Sequence, residues 1–257
     1  MANKELALVA DTTYPVLDPG AASDVSEIIE ENLGESLNPG DLDRIGIPPG
    51  GGTSWEIPTL DGLESSKELR GVIVAVRKPR TYWETSIDDG EDSSPPNCSS
   101  DDGVLGFGDY GVGSDLNPSG QCKNCPMDQW GSGLTIEDKA KRKDGGRRGP
   151  KACREQRQLF MLLPGSMLPT SVTLPPSSIR PVRQYLMRLV NAQQMYYTVE
   201  TVLTLEAKNE GGRRWSVVDA KRGDSLSPDQ VSAVRSYSES IKGALDSSRF
   251  DSDDALA

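Results

Sequence analysis

The stretch Gln121-Cys-Lys-Asn-Cys-Pro126 contains a Cys-x2-Cys pair, and the interpretation of the fold depends on it. Two intervening residues let both thiolates turn toward one tetrahedral ion, so this spacing is typical of structural zinc sites. The other two of the four cysteines flank the pair, and the chain has no histidine to compete as a ligand. The sequence therefore predicts a structural zinc ion held by Cys98, Cys122, Cys125 and Cys153.

The loop around the cysteines is rich in glycine and follows Pro95-Pro96. Such a loop cannot bury an apolar core of its own, so a bound metal would have to hold it together. The alternatives are four unrelated thiols, or two disulfides in an exported protein. The N-terminus has no long apolar segment typical of a signal peptide, and no apolar run is long enough to span a membrane. We therefore expect a reducing cytoplasm, which favours thiolate-metal chemistry over disulfides.

The net charge of −11 would normally argue against a nucleic-acid ligand, but the charge is segregated along the chain. Cations cluster between residues 139 and 157, where only Asp144 and Glu155 oppose them. Glycines interrupt this stretch, which predicts a basic loop leading into Cys153. The loop is either a solvated face or a polyanion-binding surface, and we expect the second. Its predicted DNA contacts are Lys141, Arg142, Lys143, Arg147, Arg148 and Lys151.

Two predicted strands place cations beside aromatic rings. The first follows the β-branched run 72–76, and the second comes after the Gly211-Gly212 turn. Single-stranded nucleic acid requires this combination, because cations neutralise phosphates while rings stack on unpaired bases. The alternative is an exposed strand end with core aromatics. The predicted contacts are Arg77, Lys78, Arg80, Tyr82 and Trp83 in the first strand and Arg213, Arg214 and Trp215 in the second.

Several short strands, one intervening helix near 178–190 and a metal-held loop between two strands predict a mainly β protein with flanking helices. We expect an acidic arm at 1–40, a small β-barrel at 41–222 with an insertion at 95–156, a helix at 223–246 and a disordered acidic tail at 247–257. The triple glycine at 50–52 is interpreted as a flexible hairpin tip. It is not a nucleotide P-loop, because no Gly-Lys-Ser/Thr follows it.

A set of short motifs resembles a group of tailed-bacteriophage proteins, the single-stranded-DNA-binding proteins of the OB-fold type with a zinc-binding insertion. The resemblance covers roughly residues 40–220 and is strongest around the cysteines. The motifs are Pro-Pro-Gly-Gly-Gly-Thr-Ser-Trp55, Val-Arg-Lys-Pro-Arg-Thr-Tyr-Trp83, Pro96-Asn-Cys-Ser-Ser-Asp-Asp-Gly103, Gly-Gln-Cys-Lys-Asn-Cys-Pro126, Trp130-Gly-Ser, Lys-Ala-Cys153 and Leu174-Pro-Pro-Ser-Ser178.

The resemblance implies an OB-like barrel, single-stranded DNA as ligand, and a role in phage DNA replication or recombination in the host bacterial cytoplasm. The acidic tail, with Asp251, Asp253 and Asp254, is similar in character to the partner-recruiting tails of bacterial single-stranded-DNA-binding proteins. It differs from them in ending Asp-Ala-Leu-Ala rather than with an aromatic residue. The similarity implies replication or recombination proteins as the candidate partners of this tail.

A catalytic function is not expected. A nuclease would need clustered carboxylates for a divalent metal ion, or a histidine base, and the carboxylates at 88–89 and 101–102 lie in a turn-rich stretch without a strand to fix them. A zinc hydrolase needs an open coordination position, which four cysteines would close. The remaining alternative is a zinc-containing duplex-DNA-binding regulator. Against it, no predicted helix near the cysteines carries a basic face.

Overall fold

The structure is a computed structural model that describes residue 14, residues 28–29, 31–32 and 34, and the ranges 39–84, 95–146 and 148–247. The acidic tail with Asp251, Asp253 and Asp254, most of the N-terminal arm, and Arg147 lie outside the described residues. The predictions made for these parts of the chain therefore stay predictions.

The described chain is mainly β with flanking helices, as predicted. The strands are β1 (Arg44–Ile45), β2 (Trp55–Thr59), β3 (Gly62–Ser66), β4 (Glu68–Arg77), β5 (Arg80–Tyr82), β6 (Cys98–Ser100), β7 (Phe107–Gly108), β8 (Val112–Ser114), β9 (Asn117–Ser119), β10 (Arg154–Glu155), β11 (Arg157–Leu162), β12 (Thr170–Leu174), β13 (Val199–Glu210) and β14 (Arg213–Ser225). The helices are α1 (Ile136–Lys141), α2 (Pro176–Asn191) and α3 (Pro228–Ser247).

Six strands form the main sheet, in the order β1-β12-β11-β4-β13-β14. All pairings in it are antiparallel except that of β1 with β12, which is parallel. Within the described residues no ladder joins β14 to β12 or β1, so the sheet is not closed into a barrel. The long hairpin of β13 and β14 turns at residues 211–212, as the sequence predicts.

The segment from β1 to β2 spans the gap between the two edges of this sheet. At one edge Ile45 pairs with Val172, and at the other the Ser216 hydroxyl donates to the carbonyls of Pro48 (3.1 Å) and Gly52 (2.7 Å). The indole N–H of Trp55 donates to the carbonyl of Leu203 over 3.2 Å. The triple glycine, interpreted from sequence as a mobile hairpin tip, is therefore held against β14.

The central strand β4 is buried on both faces, which explains its uninterrupted β-branched run. Ile73 faces a core that includes Trp55, Met161 and the inner side of α2. Val72 faces the opposite core, with Phe160 from β11 and the inner side of α3. The two helices therefore cover opposite faces of the sheet. α3 begins at Pro228, inside the segment 223–246 for which a helix is predicted, because β14 continues to residue 225.

A β-bulge marks the contact of α3 with β4. The register between β4 and β11 shifts between Phe160 and Met161, so Val74 has no partner in that ladder. The Ser238 hydroxyl of α3 donates to the Val74 carbonyl over 2.5 Å. A helix side chain thus satisfies the backbone acceptor that the bulge removes from the sheet.

All the elements from β5 to β10, together with α1, form one excursion between β4 and β11. It contains a four-stranded sheet in the order β10-β5-β6-β7 and the separate β8-β9 hairpin. Its two ends meet, because β10 pairs with β5 and the Gln156 amide donates to the Pro79 carbonyl over 3.0 Å. We call this excursion, residues 78–156, the insertion.

Candidate functional site

The four cysteines of the insertion line one small cavity, although they come from separate elements. Cys98 begins β6, Cys122 begins a 3-10 turn that ends before Cys125, and Cys153 precedes β10. All four thiols are free of disulfide bonds, and Cys122 and Cys125 are buried. Residues that are far apart in sequence thus line the same cavity.

Backbone hydrogen bonds fix the turns that carry these thiols. The Cys122 amide donates to Val104 (2.9 Å), and the Cys125 amide donates back to the Cys122 carbonyl (3.1 Å). The Cys153 amide donates to Met127 over 2.9 Å, which ties the last cysteine to the chain just after the Cys-x2-Cys pair. The conformation of this pair is therefore set by the backbone as well as by its side chains.

Burial makes the thiolate forms of these cysteines unfavourable. Burial, together with a smaller contribution from the nearby Cys122 and Cys125, raises the pKa of Cys98 to about 11 and that of Cys153 to about 12. The pKa of Cys122 is raised by burial as well, while the positive charge of Arg80 acts in the opposite direction. A cation among the four sulfurs would offset this cost, because thiolates are the metal-binding form of cysteine.

Within the described residues, no group of three or more cysteine, histidine, aspartate or glutamate side chains is arranged to hold a metal ion. The donor set nevertheless fits zinc, which binds four cysteine thiolates tetrahedrally. Zinc binding by Cys98, Cys122, Cys125 and Cys153 therefore stays a prediction, supported by their shared cavity.

An ion cluster joins this cavity to the strands at the base of the insertion. Asp128 is buried, forms an ion pair with Arg80 and accepts a hydrogen bond from the Lys151 ammonium over 2.8 Å. Burial acts to lower the pKa of Arg80, but the charges of Asp128 and Glu155 outweigh it and the pKa is raised. Two residues predicted as DNA contacts, Arg80 and Lys151, are thus bound to a carboxylate inside the insertion.

The aromatic half of the first basic-aromatic segment is also largely internal. Tyr82 is buried, and its ring packs edge-on against Tyr110 at 5.3 Å between centroids. Trp83 and Arg77 are half-buried, whereas Lys78 is exposed. Of this segment, the Lys78 side chain is the most accessible to a polyanion.

The basic loop is mostly exposed. The helix α1 begins after Thr135, whose side chain accepts from the Asp138 amide over 3.1 Å. Its last residue and the turn that follows carry exposed cations. These are Lys141, Arg142, Lys143 and Arg148.

The second basic-aromatic segment lies far from the insertion. The insertion leaves the C-terminal end of β4, whereas β13 passes the N-terminal end of β4, where Thr204 pairs with Glu68. Arg213, Arg214 and Trp215 pair with residues 208–210 beyond that point. Arg213 and Arg214 are exposed and Trp215 is half-buried, but the structure does not bring them together with the cysteine loop.

Sequence reasoning did not include Trp130 among the candidate site residues. Its indole is 68% exposed, and the Lys151 ammonium lies 5.2 Å from the ring centroid. An exposed ring beside a cation is a suitable surface for stacking an unpaired base. The Trp130-Gly-Ser sequence contained the signal, but no cation adjoins it along the chain; Lys151 is brought beside it by the fold.

Comparison with protein-family models, with curated proteins and with solved structures finds no match for this chain. Among the helices of the described residues, none combines the length and the apolar character needed to cross a bilayer.

Proposed function

We propose that this chain is a non-catalytic, largely sequence-independent single-stranded-DNA-binding protein with an OB-type core and a zinc-binding insertion. The strand connectivity is the observation that carries this proposal. Apart from β1, the strands of the main sheet occur along the chain in the order β4, β11, β12, β13 and β14, with α2 between the third and the fourth. Their order in the sheet, β12-β11-β4-β13-β14, is compatible with an OB fold that is open between its third and fifth strands, and this supports the proposal.

In this assignment the insertion occupies the loop between the first and second OB strands. The loops in this position and between the fourth and fifth strands, together with the face of the second and third strands, are where OB folds bind oligonucleotides. Here α3 covers Phe160 and Leu162 on one face of β11. The exposed parts of the site are therefore the insertion and the turn between β13 and β14. The insertion would contribute Lys78, the cations of the basic loop and Trp130, and the turn would contribute Arg213 and Arg214 beside the half-buried Trp215.

Zinc would have a structural role in this function. The insertion leaves several large apolar side chains exposed, including Val104, Phe107 and Val112, so it has little core of its own. Four thiolates around one Zn²⁺ would hold β6, the Cys-x2-Cys turn and the start of β10 together. The metal would thereby fix the basic loop and Trp130 in the orientation that DNA requires.

Binding of the purified protein to single-stranded DNA, duplex DNA and RNA of one sequence tests the proposal. We expect the tightest binding to the single DNA strand, with affinity that falls as salt rises. Elemental analysis of the same sample should give about one zinc per chain. Tighter binding to duplex DNA would instead support a zinc-containing regulator. A role in phage replication or recombination in a bacterial cytoplasm, with protein partners recruited by the tail, belongs to the same proposal.

A further inference from the structure

The outer side of α2 carries three arginines that the sequence analysis did not consider. Arg180, Arg183 and Arg188 are exposed and lie within one side of the helix at helical spacing. They face the same open surface groove, which is completed by Gln184, Met187 and Asn191. The opposite side of the helix is buried through Val182, Tyr185 and Leu189. We call the exposed side the arginine face.

No carboxylate neutralises the arginine face in the part of the chain that the structure describes. The sequence of α2 contains no aspartate or glutamate. None of its three exposed arginines forms an ion pair with another described residue. This is unusual in a chain with 39 acidic and 28 basic residues. Adjacent uncompensated cations create a local positive potential that attracts a polyanion.

The arginine face begins beside the base of the insertion. Arg157 opens β11 and pairs with Leu174, which lies just before the start of α2. Burial lowers the pKa of Arg157, and the positive charge of Arg183 lowers it further, against the opposing charge of Glu155. The neighbouring Gln158 pairs with Arg77 at the end of β4. Arg157, whose side chain is 13% exposed and lies 3.9 Å from the Glu155 carboxylate, is therefore the residue that lies between the end of the insertion and the outer side of α2.

We propose that the arginine face binds the phosphates of single-stranded DNA that extends from the insertion. This inference rests on the proposed function and adds a second contact region to it. The guanidinium groups offer paired N–H donors that match phosphate oxygens. The exposed Met187 lies among them and provides apolar contact for an unpaired base. The groove is open and is lined by one side of a single helix, so it fits a flexible strand.

The test compares the full-length wild type with the triple variant R180Q/R183Q/R188Q. Fluorescence anisotropy of a labelled oligothymidine of about 30 nucleotides, longer than one OB site, is measured between about 50 and 200 mM salt. The matched control is K67Q/K221Q/R235Q, which removes the same charge from exposed side chains that already contact Thr53, Glu68 and Glu239. A second variant, R180K/R183K/R188K, keeps the charge while removing the guanidinium groups.

We expect the glutamine variant to bind at least about tenfold more weakly than the wild type at about 50 mM salt. The slope of the logarithm of its association constant against the logarithm of the salt concentration should be shallower by about 2, since each lost phosphate contact removes about 0.7. The control variant should show the wild-type salt dependence. The lysine variant, which keeps the three charges, should show most of the wild-type salt dependence. Equal slopes for the glutamine variant and the control would overturn the arginine face while leaving the proposed function in place. A wild type that does not bind single-stranded DNA would overturn both.

Discussion

At the scale of single residues, Trp130 is the side chain through which the proposed base contact can be tested directly. Replacing it with alanine should weaken single-stranded-DNA binding about 5- to 150-fold, because a stacked base contributes about 1–3 kcal/mol. The expected change in stability is small, since the ring is 68% exposed. Anisotropy titrations measure the affinity, and Trp130→Phe, which keeps a ring, is the matched control. Unchanged affinity of Trp130→Ala would exclude this ring from the site.

The residue scale is also where sequence reasoning was weakest. The alternation of cations and rings at 77–83 predicted a DNA-contacting strand, yet Arg80 binds the buried Asp128 and Tyr82 packs against Tyr110. A sequence shows which side chains alternate along a strand, but not which neighbours the insertion brings onto each face. Those neighbours are Tyr110 and Asp128, which lie far from residues 77–83 in the sequence. The position of Asp128 could not be inferred without the fold.

At the scale of elements, the insertion should lose its order separately from the main sheet. Every ladder of the six-stranded sheet is formed by strands outside residues 78–156. Cys122→Ser should therefore lower the zinc content and speed amide hydrogen exchange across 95–156, while β4, β11 and β13 keep their protection. The matched control is Asp115→Asn, an exposed position in the same insertion. A metal-free wild type with an equally protected insertion would contradict the zinc prediction.

The contact between α3 and the bulge in β4 gives a second prediction at this scale. Ser238→Ala should lower the free energy of unfolding by about 1–3 kcal/mol, because it leaves the buried Val74 carbonyl without its donor. Ser236→Ala, at an exposed position of the same helix, should change it by less than about 0.5 kcal/mol. Urea unfolding followed by circular dichroism measures both. Equal stabilities of the two variants would mean that the bulge does not depend on Ser238.

Elements were more predictable than contacts. The β-branched run of β4 and the Gly211-Gly212 hairpin were recognised because each follows from local rules of burial and turn geometry. The helix near 178–190 was predicted, but a sequence alone does not show which of its side chains pack inward: Tyr185 is buried, whereas Val190 is exposed. The Tyr185 hydroxyl is 2.9 Å from that of Thr201, a partner on β13 that no helical periodicity could indicate.

At the scale of the whole molecule, the N-terminal arm contributes to the fold through at least one residue. Tyr14 is buried in the core beneath α3, and its hydroxyl donates to the buried Glu200 carboxylate over 2.7 Å. Arg70 donates to the other oxygen of the same carboxylate over 3.2 Å. Residues from the arm, β4 and β13 thus meet around one charge, which an assignment of 1–40 as a separate acidic arm did not anticipate.

This cluster predicts that Tyr14 stabilises the folded sheet. Tyr14→Phe keeps the ring but removes one of the donors to a buried carboxylate, so it should lower the free energy of unfolding by about 1.5–3 kcal/mol. Thermal unfolding measures the change, and Tyr196→Phe is a suitable control because that residue is only half-buried. If the two variants were equally stable, Tyr14 would not anchor the arm.

The meeting of the insertion's two ends gives the chain a modular construction. Arg77 and Gln158 face each other across neighbouring antiparallel strands, so a short turn could replace everything between them. The cost of closing a loop grows only by about 0.6 kcal/mol for each doubling of its length. Insertions and deletions at this point would therefore barely affect the folding of the sheet. Ligand preference could then diversify in the insertion, independently of the scaffold that displays it.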